Sequence, residues 1–94
     1  MIINKENIHE LVNPENAHMR QVDLTGPEGN VFNVIGITKQ YAGDLDSFFM
    51  ENIFGMLYDD IVAECDSYVT DEVMFITLEA KQLLQDNEIL WRKK

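Results

Sequence analysis

The sequence predicts a single α+β domain: a two- or three-stranded antiparallel sheet packed by three to four helices, with the helix over residues 31–42 at its centre. Three observations predict it. The alternating segment Gln21-Val22-Asp23-Leu24 and the apolar run Val73-Met74-Phe75-Ile76-Thr77-Leu78 have the residue types of strands. Between them, three segments carry apolar residues at helical spacing. The chain has 94 residues, 46% of them hydrophobic, which is enough for one core and too little for two.

In chain order, Asn4 is placed to cap a short helix, with Ile3 and Ile8 as a hydrophobic staple and Asn13-Pro14 as its end. Ile8, Leu11 and Val12 form its apolar stripe, which is too narrow to stand alone. Residues 14–19 read as a linker. In the strand that follows, Val22 and Leu24 point inward. Thr25-Gly26-Pro27-Glu28-Gly29-Asn30 is then a turn, with Pro27 presetting its geometry and Asn30 capping the next helix. From Val31 to Ala42, residues Val31, Phe32, Val34, Ile35, Ile37, Tyr41 and Ala42 occupy a broad apolar arc. Asn33, Gly36, Gln40 and Gly43 fall on a narrow strip that admits close packing or a ligand. Gly43 also suits a helix end.

Asp46 or Ser47 caps a second helix to about Phe54, and a third runs from about Met56 to Val69. On that third helix Leu57, Tyr58, Ile61, Val62, Cys65 and Tyr68 separate from the acids Asp59, Asp60, Glu64 and Asp66. The run from Val73 is a strand covered on at least one face by helices, with the strand at Val22 as its partner. A helical stretch over 81–85 and the basic end Arg92-Lys93-Lys94 close the chain. The domain divides into an N-terminal helical extension (1–19), a core (20–78) and a C-terminal extension (79–94).

Charge is the most uneven property of the chain. Tyr41 to Glu79 holds ten of the seventeen acids and no Lys, Arg or His, whereas seven acids and seven bases balance elsewhere, so the formal −10 belongs to one block. Such a field repels nucleic acid and anionic membranes and attracts basic partners. The single cysteine, Cys65, has no intrachain partner for a disulfide. No apolar stretch reaches membrane-span length, and no signal peptide is recognisable. A cytoplasmic location is therefore the expectation.

Chemical motifs are few. The turn at Gly26 to Asn30 lacks the Gly-Lys-Ser/Thr ending of a P-loop and the dinucleotide-binding glycine spacing, and Glu28 sets a negative charge beside it. His9 and His18 have no zinc-ligand spacing, and the acids form no calcium-loop pattern. Neither a nucleophile elbow nor a reliable Cys/His pair is present. The expectation is a protein that is not an enzyme and that uses no cofactor or metal.

The stretch Val22-Asp23-Leu24-Thr25-Gly26-Pro27-Glu28-Gly29-Asn30-Val31-Phe32, running on to Gly36 and Lys39, resembles a family of small uncharacterised proteins of tailed bacteriophages. In those, a strand leads through a Gly-Pro-Glu-Gly-Asn turn into a helix, followed by two acidic helices and a closing strand. The likeness in layout covers Val22 to Leu78; the part before Arg20 and the basic end after Leu78 depart from it. It implies a phage accessory protein acting in the host bacterial cytoplasm and carries no site residues with it.

Together these readings point to binding of a basic host or phage protein, with Asp59, Asp60, Glu64 and Asp66 as the contact face. One alternative is a DNA mimic that occupies the basic groove of a host restriction, defence or other nucleic-acid enzyme. A second is a small-ligand binder built on the Gly26–Asn30 turn. The large side chains from Phe48 to Leu57 belong to the core or, in the other reading, to a homo-oligomer contact.

Overall fold

All three strands of the sheet run parallel. The computed structural model describes residues 1–86. It places β1 (Ile2–Ile3), β2 (Arg20–Asp23) and β3 (Val73–Ile76) in the order β1-β3-β2, with Val22 and Ile2 both in register with Phe75. The pairing of the Val22 segment with the Val73 segment is as predicted, but the antiparallel direction is overturned. The reason lies in the connection, because antiparallel neighbours are joined by short turns whereas parallel ones need a helical crossover. The path from β2 to β3 holds α1 (Val31–Ala42), α2 (Ser47–Asn52) and α3 (Tyr58–Tyr68). The Tyr58 hydroxyl donates to the Gly29 carbonyl, so α1 and α3 both start beside the carboxyl end of β2. Both helices then run back along the sheet, and β3 begins at the end where β2 began.

The local signals behave as their chemistry dictates. Asn30 Oδ1 accepts from the Phe32 amide at 2.8 Å and starts α1, and Gly43, at φ 80°, ends it in the left-handed region. Asp46 Oδ2 accepts from the Phe49 amide at 3.0 Å and starts α2. The expected N-terminal helix is replaced by strand β1 and two short 3-10 turns, Ile8–Leu11 and Pro14–Asn16. Side chains divert the backbone there: Asn7 Oδ1 takes the Asn4 amide at 2.8 Å, and Asn7 Nδ2 donates to the Ile2 carbonyl at 2.9 Å. The carbonyls of Met1 and Ile3 instead accept from the Phe75 and Thr77 amides of the central strand.

Helices cover both faces of the sheet. On one face Val22, Val73 and Phe75 pack with Val34 and Ile37 of α1 and Ile61, Val62 and Cys65 of α3. On the other, Ile3, Met74 and Ile76 pack with Leu11, and with Ala80 and Leu84 of α4 (Leu78–Asp86). All four β3 side chains are buried, which is why that strand reads as an unbroken apolar run. Each contributes about 1.5–3 kcal/mol of hydrophobic stabilisation. Helix α4 is longer than the predicted 81–85, and the basic end Arg92-Lys93-Lys94 lies outside the described residues.

Candidate protein-binding face

The predicted acidic face is carried by α3, and the structure divides it. Asp59 and Asp60 stand exposed in the first turn, where carboxylates are favoured by the helix dipole. Glu64 is half-buried. Asp66, in the last turn, is half-buried and ion-paired with the amino group of Met1, which also donates to the Val73 carbonyl at 2.7 Å. Asp66 therefore holds the start of β1 against the base of α3, whereas Asp59 and Asp60 face solvent. Among the described residues Asp66 is the one acid of the 41–79 block in an ion pair, so the remainder of the block keeps its field.

At the end of the molecule where α3 begins, apolar side chains expected in the core are exposed. Phe32, assigned to the buried arc of α1, is 66% exposed, and its ring meets Phe54, 84% exposed, at a centroid distance of 6.2 Å and a tilt of 56°. Leu57 is likewise exposed and immediately precedes α3. The buried face of α1 is Val34, Ile35, Ile37 and Thr38, with Thr38 donating to the Val34 carbonyl at 2.8 Å. At 100° per residue, Phe32 points about 140° away from the middle of that face, toward Lys39 and Gly36. The signal was thus present in the spacing. Three large apolar side chains exposing most of their surface approach the size of the largest patch on an ordinary monomer, roughly 300–600 Å².

The dense segment of the second predicted helix is split by a half-turn. Phe49 and Ile53 are buried, while Phe48 and Phe54 project outward. The Tyr58 hydroxyl, at 2.5 Å from the Gly29 carbonyl, fixes the start of α3 beside the start of α1. That brings Phe54, Leu57, Asp59 and Asp60 to the same end of the molecule as Phe32. Burial, assisted by the charge of Asp59, pushes the Tyr58 phenol above its ordinary range.

The glycine-containing turn is closed on itself. Gly26, Gly29 and Asn30 donate their amides to Asp23, Gly26 and Pro27 carbonyls, the Thr25 amide donates to the Asp23 carboxylate, and Asn33 Nδ2 reaches the Pro27 carbonyl at 2.8 Å. Gly29 is required by close approach, since a Cβ there would lie 1.8 Å from the Leu24 carbonyl oxygen. Gly36, by contrast, faces open space and one wall of a groove of about 380 Å³ with Arg20, Glu28 and Gln40. A second cleft, of about 470 Å³, opens at the carboxyl end of the sheet between Asn4, Leu24, Asp59 and Glu79.

His18 is exposed, with Nε2 3.2 Å from the Asp71 carbonyl, and His9 lies beside Glu10. Among the described residues no group of three or more His, Cys, Asp or Glu could hold a metal ion, and no helix is long and apolar enough to cross a membrane. No protein-family model matches the chain, and neither the curated proteins nor the solved structures contain a match.

Proposed function

We propose that the chain is a non-enzymatic phage accessory protein that binds a basic host or phage protein through the acidic face of α3 bearing Asp59, Asp60 and Glu64, with Phe32, Phe54 and Leu57, at the end where α3 begins, as the apolar part of the contact. The observation that carries this reading is the solvent-exposed Phe32–Phe54 pair, at the end of the molecule where α3 begins with Asp59 and Asp60, which have no ion-pair partners among the described residues. Protein interfaces combine an aromatic centre with a polar rim, and a one-sign rim selects partners and speeds encounter. Aromatic side chains favour a protein surface over the alternative of a DNA mimic, which needs charge alone. Asp66 supports the fold of α3 and β1 rather than the contact. The cytoplasmic setting follows from the phage resemblance.

The test is capture of basic proteins from a bacterial lysate by the wild-type chain, by the triple variant Asp59→Lys, Asp60→Lys, Glu64→Lys, and by Phe54→Ser. The wild type retains a basic protein whose recovery falls with added salt. The charge reversal loses it at every salt concentration, and Phe54→Ser weakens it without altering the salt dependence. Equal recovery by all three proteins refutes the assignment of this face.

A further inference from the structure

We propose that the cleft at the carboxyl end of the sheet binds a guanidinium group on a short aliphatic stem, carried either by a small molecule or by an arginine side chain. The site stands apart from the acidic contact, because Asp60 and Glu64 do not line it. Its position follows from the path of the chain. After β2 the chain turns into α1, on the face of Val22 and Phe75, and after β3 it turns into α4, on the face of Met74 and Ile76. Adjacent parallel strands whose continuations leave for opposite faces open a crevice beyond their carboxyl ends, which is where open parallel sheets hold their ligands. Leu24, just past β2, and Thr77, just past β3, flank that point, and both line the cleft. Its volume of about 470 Å³ is that of a small-molecule site.

The lining sets the charge of the ligand. Helices α3 and α4 both begin here, and helix starts attract anions, but Asp59 and Glu79 in their first turns already answer that dipole. Among the described residues no Lys, Arg or His lines the cleft. Lys81 of α4 is held by Asp23, and Lys5 meets Glu79 through its backbone amide, which donates to Oε2 at 3.1 Å. An anion is therefore repelled and a cation favoured. A bare metal ion is not, since among the described residues no group of three or more His, Cys, Asp or Glu could hold one.

The apolar part of the lining selects guanidinium over ammonium. Ile2, Leu24 and Val62 give the cleft an apolar floor, and Leu78, 59% exposed, gives it an apolar lip. A guanidinium is more weakly hydrated than an ammonium, so it loses less on entering such surroundings, and its planar fork bonds a carboxylate through two N–H groups at once. Asp59 on α3 and Glu79 on α4 supply the carboxylates, and the side-chain carbonyl of Gln82 supplies a neutral acceptor. The aliphatic stem then lies along the apolar floor, as the methylenes of arginine do on other apolar surfaces.

The experiment is an amide-resolved NMR titration of the full chain with butylguanidinium, with its uncharged isostere butylurea, and with acetyl-arginine N-methylamide. The expected result is a saturable shift of the Asn4, Asp59, Thr77 and Glu79 amides by butylguanidinium, with a dissociation constant on the order of 1 mM, and no such response to butylurea. Asp59→Asn and Glu79→Gln keep the wild-type circular dichroism and each weaken binding roughly fivefold or more. Glu51→Gln removes a charge of the same acidic block outside the cleft and leaves binding unchanged. Equal binding of the capped arginine assigns the cleft to a protein side chain, and binding of butylguanidinium alone assigns it to a small cation. Absence of a saturable shift up to about 20 mM overturns the proposal. So does an equal response to butylurea, and so does a Glu51→Gln effect as large as that of Glu79→Gln, since net charge rather than the cleft would then hold the ligand. Asp60→Lys with Glu64→Lys leaves this titration intact, which separates a failure of the cleft from a failure of the acidic contact.

Discussion

The hydroxyl of Tyr58 donates to the carbonyl of Gly29 at 2.5 Å, tying the first turn of α3 to the turn that launches α1. This bond explains why two helices separated by fifteen residues start side by side (43–57 intervene between Val31–Ala42 and Tyr58–Tyr68). It also gives the Thr25-to-Asn30 segment a structural role: the turn is an anchorage for α3, packed so tightly against Leu24 that only glycine fits at position 29.

Replacing Tyr58 with Phe removes that bond and leaves the ring in place, so stability falls by about 1 kcal/mol in urea denaturation. Gly29→Ala forces the Leu24 backbone aside and costs about 3 kcal/mol, the upper end of overpacking penalties. Gly36→Ala, in open space within α1, raises stability by about 0.5–1 kcal/mol, the helix-propensity difference. Equal effects at the two glycines would contradict this account of the turn.

Phe48 and Phe49 are neighbours with opposite surroundings, 73% and 5% exposed. Phe49→Ala empties part of the larger core cluster and costs about 3–5 kcal/mol. Phe48→Ala changes stability by no more than about 0.5 kcal/mol, as at other exposed positions. Thermal denaturation of the two variants side by side decides the point.

The ion pair between Asp23 and Lys81 connects β2 to α4. Burial acts to raise the Asp23 carboxyl, but hydrogen bonds from Lys81 and from the hydroxyl and amide of Thr25 outweigh it and hold the group below its ordinary value. Because the folded value is depressed, this stabilisation is fully present above the unfolded carboxylate range and is lost as pH falls through the folded value. A double-mutant cycle with Asp23→Asn and Lys81→Met gives a coupling of about 0.5–1 kcal/mol at neutral pH, reduced by the partial exposure of both groups. The coupling disappears in acid. A coupling that survives full protonation of the carboxylate would show that packing, not charge, links the two residues.

Cys65 is buried between α3 and the sheet, and burial pushes its thiol above the ordinary range, with Glu64 adding to the shift. Labelling by a thiol reagent at neutral pH therefore proceeds at the rate at which the protein opens. In a denaturant series the labelling rate rises with the unfolded fraction; rapid labelling of the native protein would place the thiol at the surface.

The parts of the fold that were legible in the sequence are local. The span of α1, its Asn30 cap, its Gly43 end and the Asp46 cap of α2 depend on residues within a turn of one another, and each occurs as its chemistry requires. The apolar run at Val73 was legible as a strand covered by helices on at least one face, and the structure buries all four of its residues. The acidic stripe of α3 was visible from its period, although its division was not. Asp66 is drawn to the amino group of Met1, distant in sequence, whereas Asp59 and Asp60 have no such partner. The pairing of Phe32 with Phe54 likewise joins separate elements, and the spacing of α1 alone revealed only that Phe32 points outward.

Strand β1 lay beyond the sequence for a different reason, whereas the parallel direction of β2 and β3 follows from the three helices between them. A two-residue strand such as Ile2–Ile3 is too short to display a period, and its recognition depends on carbonyls that find their donors on Phe75 and Thr77. Composition and spacing by themselves determined helices α1 to α3, the caps at Asn30 and Asp46, the apolar strand at Val73 and the concentration of charge in one block, because these follow from interactions along a few residues, whereas the helix expected at the N-terminus gave way to β1 and 3-10 turns. Only the tertiary structure decided that β1 joins the far side of β3, which acids lack an ion-pair partner among the described residues, and that Phe32 meets Phe54. Those outcomes depend on contacts between residues far apart in the chain, such as the Tyr58–Gly29 hydrogen bond across 29 residues.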